Sequence, residues 1–285
     1  MSASTSPSAA SVPPFLYGTA WKEERTRDLV LMALEAGFRG IDTANQRRHY
    51  HEAGVGEGLA DAIARGMVKR DDVFIQTKFT HLPGQDHRLP YERDAPVGAQ
   101  VAQSARSSLA HLGIERIDSL VLHGPVGRGG LHAADVEAWQ AMESLHDQGL
   151  VRMLGVSNVS SVQLEQLCEL ARVAPTFVQN RCFARVGWDA NVRAVCRERG
   201  LTYQGFSLLT ANPEVLSDPR VRSLAARLDA TVAQVVFRFA VAIGMLPLTG
   251  TTDPEHARED LAALALDLGP DDVALIEALS APPRS

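Results

Sequence analysis

The sequence predicts a (β/α)8 barrel, and three observations carry that expectation. Short apolar runs recur along the chain, each stopping on a polar, chemically capable side chain. Amphipathic stretches of helix length separate them, as in buried parallel strands joined by crossover helices. The chain has 285 residues, which suits one barrel of typically ~250 residues. In such a barrel the strand C-termini share one rim, so residues scattered along the sequence converge on one pocket.

Tyr17-Gly18-Thr19-Ala20 is the first strand and its exit. Leu29, Met32, Ala33 and Ala36 recur at helical spacing through Glu24 to Ala36, and Gly37 ends that helix. Phe38-Arg39-Gly40-Ile41 is the second strand and stops on Asp42; a loop then passes Tyr50, and a helix runs from Val55 to about Arg65. Val73-Phe74-Ile75-Gln76-Thr77 is the third strand and stops on Lys78. The polar, proline-bearing segment from Thr80 to Val97 is a long loop, of a length that is usually functional or mobile. Ala99 to Leu112 is the third helix, closed by Gly113, and Leu120-Val121-Leu122 leads to His123 and a glycine-rich loop from Gly124 to Gly130.

Asp135 to Gln148 is the fourth helix, ended by Gly149, and Met153-Leu154-Gly155-Val156 stops on Ser157-Asn158. Val162 to Ala171 is the fifth helix; Phe177-Val178 leads to Gln179-Asn180; Asn191 to Arg199 is the sixth, capped by Gly200. Thr202-Tyr203-Gln204-Gly205-Phe206 leads to Ser207, followed by helices from Asp218 to Arg227 and Val232 to Ile243. Leu246-Pro247-Leu248 opens into Thr249-Gly250-Thr251, Asp253-Pro254 supplies an N-cap and first-turn proline, and a last helix spans Asp271 to Leu279. The expected organisation is a flexible leader, 1–13, and a single barrel domain, 14–285.

Composition narrows the function classes. The chain is 45% hydrophobic and 22% charged with net charge −6, so nothing electrostatic favours nucleic acid or an anionic membrane. No run of roughly 18 apolar residues is present to span a bilayer. The Ser/Ala/Thr/Pro-rich start lacks the basic and apolar regions of a signal peptide. Cys168, Cys182 and Cys196 show no metal-ligand spacing; Cys168 and Cys196 fall in helix-like stretches, where buried free thiols are expected, and a reducing, cytoplasmic setting fits.

Four side chains stand out: Asp42, Tyr50, Lys78 and His123. Reducing a carbonyl requires a hydride at carbon and a proton at oxygen. A phenol with a reference pKa of ~10 is a weak proton donor near neutrality, and an adjacent ammonium strengthens it. A carboxylate holding that lysine keeps it charged, and a histidine can polarise the carbonyl oxygen. Alone, each has a plain explanation: Asp42 as a turn cap, Tyr50 packed on Tyr17 or Phe79, His123 as a satisfied rim histidine. Lys78 is harder to dismiss, because a lysine ending a buried strand is costly without a partner.

Seven stretches in order extend the pattern: Gly37 to Ala44, Glu52-Ala53-Gly54-Val55-Gly56, Gln76-Thr77-Lys78, Leu120 to His123, Gly155-Val156-Ser157-Asn158, Val178-Gln179-Asn180 and Gly250-Thr251-Thr252. Over essentially its whole length the chain resembles the aldo-keto reductases. The resemblance implies a nicotinamide-dependent oxidoreductase with Tyr50 as acid, Lys78 and Asp42 as its tuning pair and His123 orienting the substrate. It also implies that Ser157, Asn158 and Gln179 hold the carboxamide and Phe206 stacks on the ring. Ser207, Leu208 and Leu209 would line the pyrophosphate, with Gly18, Thr19 and Trp21 beside the cofactor and pocket mouth. Gly250, Thr251, Thr252, His256, Glu259 and Asp260 would meet the adenosine half, where the helix opening at Asp253 also directs backbone N–H groups. NADP(H) is the cofactor so implied, a small carbonyl compound the substrate, and a monomer the family habit.

The chain departs from that pattern in places. Relatives commonly place the tyrosine three residues before the glutamate matching Glu52, whereas His49 occupies that slot and Tyr50 follows it. Many relatives carry a lysine at Gly250, an arginine at His256 and an asparagine at Asp260, so NAD(H) stays open as an alternative cofactor. Gly54-Val55-Gly56-Glu57-Gly58 imitates a dinucleotide fingerprint without the preceding strand, and close helix packing is the expected reason for it. His49 and His51 lie in a loop, not at the strand end that a barrel hydrolase would use for metal. The pocket walls are expected from 80–97, 124–132, Trp21 and Trp188. A cofactor-binding sensor barrel with little catalysis is the rival reading of the same residues.

Overall fold

The computed structural model describes residues 11–280. Eight parallel strands close in chain order: β1 (Leu16–Gly18), β2 (Gly40–Asp42), β3 (Phe74–Phe79), β4 (Ile117–Leu122), β5 (Val151–Ser157), β6 (Phe177–Arg181), β7 (Thr202–Phe206) and β8 (Met245–Thr249). Tyr17 lies opposite Ile41 on one side and Thr249 on the other, so β1 seals the ring. The barrel is surrounded by α1 (Thr26–Ala36), α2 (Glu52–Ala64), α3 (Val97–Leu112), α4 (Ala133–Asp147), α5 (Ser161–Leu170) and α6 (Ala190–Arg199). After β7 come α7 (Pro213–Ser217), α8 (Pro219–Arg227) and α9 (Val232–Ala242), and after β8 come α10 (Pro254–Ala262) and α11 (Pro270–Glu277). None of the described helices is long and apolar enough to cross a membrane.

Of the expected leader, residues 1–10 lie outside the described residues. Pro13 is buried, and its ring sits where a Cβ on Gly40 would have to go. Gly37 and Gly200 end α1 and α6 in left-handed backbone, at φ 113° and 68°, the conformation that favours glycine. The fingerprint-like glycines of α2 serve close packing. A Cβ on Gly56 would lie 2.1 Å from the His111 carbonyl oxygen of α3, and one on Gly58 would lie 2.8 Å from that of Arg27 in α1. α2 begins at Glu52, three residues before the expected Val55, because those small residues hide its buried face.

Inside the barrel the side chains stack in layers, as strand alternation requires. Leu16, Phe74, Phe177, Leu246 and Leu248 form an apolar floor. Above it lies a buried polar layer of Gln76, Ser119, Gln179 and Gln204. Above that, at the C-terminal rim, Asp42 and Lys78 meet. Outside the barrel, the opposite faces of the strands pack against the helices in one continuous apolar core.

Candidate active site

Asp42 is the last residue of β2, and Lys78 reaches it from β3. Lys78 Nζ donates to both Asp42 oxygens at 2.7 Å and to the Thr43 carbonyl at 2.9 Å. All three ammonium protons are thereby used. Burial draws the lysine below its ordinary value, while Asp42 acts in the opposite direction. The pair lies almost wholly out of solvent, and excellent geometry is what such a pair requires.

Tyr50 reaches the same place from the β2–α2 loop. Its ring lies under Lys78 Nζ, 5.3 Å from nitrogen to centroid, and meets the His123 ring edge-on at 5.9 Å. Among the described residues its hydroxyl has no hydrogen-bond partner, and Tyr50 lines the cleft. Burial, and after it the Asp42 carboxylate, push the phenol above its ordinary value. That direction is opposite to the sequence expectation. The physical reason is that burial disfavours the phenolate and the nearby Asp42 carboxylate repels it, while the ammonium protons of Lys78 are hydrogen-bonded to Asp42 and Thr43 rather than to the phenol, so the resting phenol stays protonated.

His123 follows β4. Its backbone carbonyl accepts from Asn158 Nδ2 at 2.8 Å, and its Nδ1 lies 2.7 Å from Thr80 Oγ1. Burial, reinforced by the Lys78 and His49 charges, pushes its imidazole down to about 3, so the ring is neutral at physiological pH. Asn158 and Ser207, leaving β5 and β7, hold left-handed backbone at φ 55° and 57°. Strained non-glycine positions of that kind cluster at functional sites.

These side chains stand at one end of a cleft of about 850 Å³ that extends to His256, Glu259 and Asp260 on α10. Gln179, Phe206 and Ser207 line its middle. Arg181 also lines it, with its guanidinium 5.6 Å from the centre of the Phe206 ring. Lys22 closes one side, donating to the Gly250 carbonyl at 2.7 Å, and burial pushes its ammonium down to about 8.

Comparison with known proteins agrees with this geometry. The model of the aldo/keto reductase family matches residues 16–281. The chain belongs to the aldo-keto reductase family. Aldo-keto reductases are oxidoreductases that act on carbonyl groups with a nicotinamide cofactor. An aldo-keto reductase of Mycolicibacterium vanbaalenii is 32% identical, with 88% of this chain and 81% of that protein covered. The 2,5-diketo-D-gluconic acid reductase B of a Corynebacterium is 29% identical, over 88% of this chain and 82% of that enzyme. The crystal structure of the Bombyx mori aldo-keto reductase AKR2E4 in complex with NADP superposes with a TM-score of 0.80 at 26% identity. It covers 94% of this chain and 89% of that one.

Within this aldo-keto reductase, most residues singled out from sequence line the cleft, and four expectations are corrected. Thr19 does not line it: the side chain is fully buried and donates to the Asp42 carbonyl at 3.0 Å, bracing the strand end. The segments 80–97 and 124–132 do not line it either. Thr80, His81, Gln85 and Tyr91 are buried, and Asp135 pins both segments through His81 Nε2 at 3.1 Å and the Val126 amide at 2.9 Å. Trp188 is fully buried against Phe239. At α10 the amides of Glu255 and His256 already donate to the Asp253 side chain, at 2.8 and 3.3 Å, so the helix start presents a capped, acidic end.

Sequence reasoning missed Lys22, His49 and Arg181 as lining residues. Lys22 stands just past the first strand exit and Arg181 ends the sixth strand, but their sequence positions alone do not show that these side chains turn into the cleft, and His49 lies in a loop.

Proposed function

We propose that the protein reduces aldehydes or ketones with NADP(H), and oxidises the alcohol in the reverse direction. The observation that carries this reading is the meeting of the Tyr50 ring with both His123 and the Lys78–Asp42 pair at one end of a cleft long enough for a dinucleotide.

The cleft's donors and acceptors suit a nicotinamide dinucleotide. Asn158 Nδ2 is committed to His123 and Ser157, and Gln179 Nε2 to Asp42 and Gln204, so both amides offer a carbonyl oxygen to an incoming carboxamide. Phe206 offers an aromatic face, and Lys22 and Arg181 supply cations for a pyrophosphate. When bound, the reduced nicotinamide would supply the hydride for the carbonyl carbon. The chain's own residues handle the oxygen. Tyr50, held protonated, donates to the carbonyl oxygen as negative charge develops there. With the Thr80 hydroxyl donating to His123 Nδ1, Nε2 carries the proton and polarises that oxygen. Lys78 stabilises the phenolate left behind, its own charge retained by Asp42.

Tyr50→Phe tests this directly. Turnover should fall by about 10²–10⁴-fold, the usual contribution of a general acid, while calorimetric titration shows NADPH binding with unchanged affinity. Undiminished turnover in that variant would remove Tyr50 from the mechanism.

A further inference from the structure

Asp42 Oδ1 is approached by two glutamine nitrogens, Gln76 Nε2 at 2.7 Å and Gln179 Nε2 at 3.0 Å. A carboxylate paired to an ammonium has no proton to give, so both contacts must be donated by the amides. One N–H of each amide is thereby used. The second N–H of each goes to a single atom, Gln204 Oε1, at 2.7 Å from Gln76 and 2.9 Å from Gln179. Gln204 Nε2 in turn donates to Gln76 Oε1 at 3.0 Å, which also accepts from Ser119 Oγ at 2.9 Å. Donor and acceptor assignments are forced around the whole layer. Gln179 Oε1 is left without a partner among the described residues, on a side chain that lines the cleft.

We infer that Gln204, on the far strand β7, is a positioning residue that fixes the Gln179 amide with its carbonyl toward the cleft, so that this oxygen reads the carboxamide N–H of a nicotinamide. The inference rests on the cofactor reading given under Proposed function. Gln204 does not line the cleft and is fully buried beneath the Asp42–Lys78 pair. Without its oxygen, one Gln179 N–H loses its acceptor, and only the bond to Asp42 Oδ1 is left to orient an amide whose terminal torsion is intrinsically broad. One of the two interior bonds that dictate which atom faces the ligand is then gone.

The probes are NADPH and its 3-acetylpyridine analogue, in which a methyl group replaces the carboxamide NH₂. Dissociation constants come from titration calorimetry. Wild-type protein should prefer the carboxamide form by about tenfold, the scale of one buried hydrogen bond. Gln204→Met keeps the volume but removes the acceptor, and the preference should shrink to about twofold or less. Gln204→Glu should retain the wild-type preference. Beside Asp42 the buried acid is held neutral, so its carbonyl accepts both N–H groups and its hydroxyl donates to Gln76.

A folded Gln204→Met protein with the full preference overturns the inference, as does a wild type that binds both forms equally. Should Gln204→Met fail to fold, Gln204→Asn, whose amide stops short of both partners, takes its place with the same expected loss. A wild type that binds neither form defeats the cofactor reading itself, an outcome distinct from intact binding with an unmoved ratio.

Discussion

Four hydrogen bonds converge on the Asp42 carboxylate, two from Lys78 and one each from Gln76 and Gln179. Removing the charge strands a buried ammonium, and breaking such a pair typically costs about 3–5 kcal/mol. Asp42→Asn should therefore lower the unfolding free energy obtained from urea titration by an amount in that range, and the double variant Asp42→Asn/Lys78→Met should lose less than the two single losses added. His123 yields a pH prediction of definite sign. Its folded value of about 3 lies below the ordinary 6.5, so between those two values the unfolded chain binds more protons. Stability should accordingly fall as pH drops through that window. His123→Gln should flatten that part of the melting-temperature profile, while above pH 7 this contribution should not vary with pH.

At the scale of elements, α2 shows both what the sequence reveals and what it conceals. The wide spacing of apolar runs was enough for eight strands and most helices, because burial on both faces leaves an unbroken apolar record. α7 went unseen because Pro213 to Ser217 makes barely more than one turn, too short for any periodicity. The long segment after β3 looked like a pocket wall because its residues are polar. Those polar groups are instead spent inward, as in the Tyr91 hydroxyl donating to the Thr80 carbonyl at 2.8 Å. Within the site, Asp42, Lys78 and His123 were legible because strand ends have a fixed address. Lys22, His49 and Arg181 needed coordinates, since nothing in a linear pattern says which way a loop or rim side chain turns. Gly56→Ala tests the close approach of α2 to α3. Intrinsic propensity favours alanine by about 1 kcal/mol, yet the new methyl meets the His111 carbonyl and Leu112 Cα. Thermal melting should show a net loss of about 1–3 kcal/mol, whereas Gly98→Ala, whose methyl finds ordinary contacts, should be neutral or stabilising.

Across the whole molecule the cleft is electrostatically lopsided. Its cationic side chains, Lys22 and Arg181, come from the rim at β1 and β6, and the α10 end carries Glu259 and Asp260 with His256. Burial pushes Asp260 up to about 6, even though Thr249 Oγ1 donates to it at 2.7 Å. A carboxyl raised in the folded state loses stability as pH climbs from its unfolded value near 3.9 to about 6. Asp260→Asn should therefore raise the melting temperature at pH 7 and change it little at pH 4. The same substitution should tighten NADPH at pH 7 more than NADH, because only the former brings a 2′-phosphate, and paired calorimetric titrations of the two check this.

Trp21, held in left-handed backbone at φ 63°, is 68% exposed at the mouth of the cleft and lies 4.1 Å from the His49 ring, centroid to centroid. The other two tryptophans, Trp139 and Trp188, are 2% and 0% exposed. One indole in water and two in an apolar interior emit at different wavelengths, so the red edge of the protein's fluorescence belongs to Trp21. The molecule thus carries an optical reporter at its own entrance, one that should shift when a ligand passes and leave the blue side of the spectrum untouched.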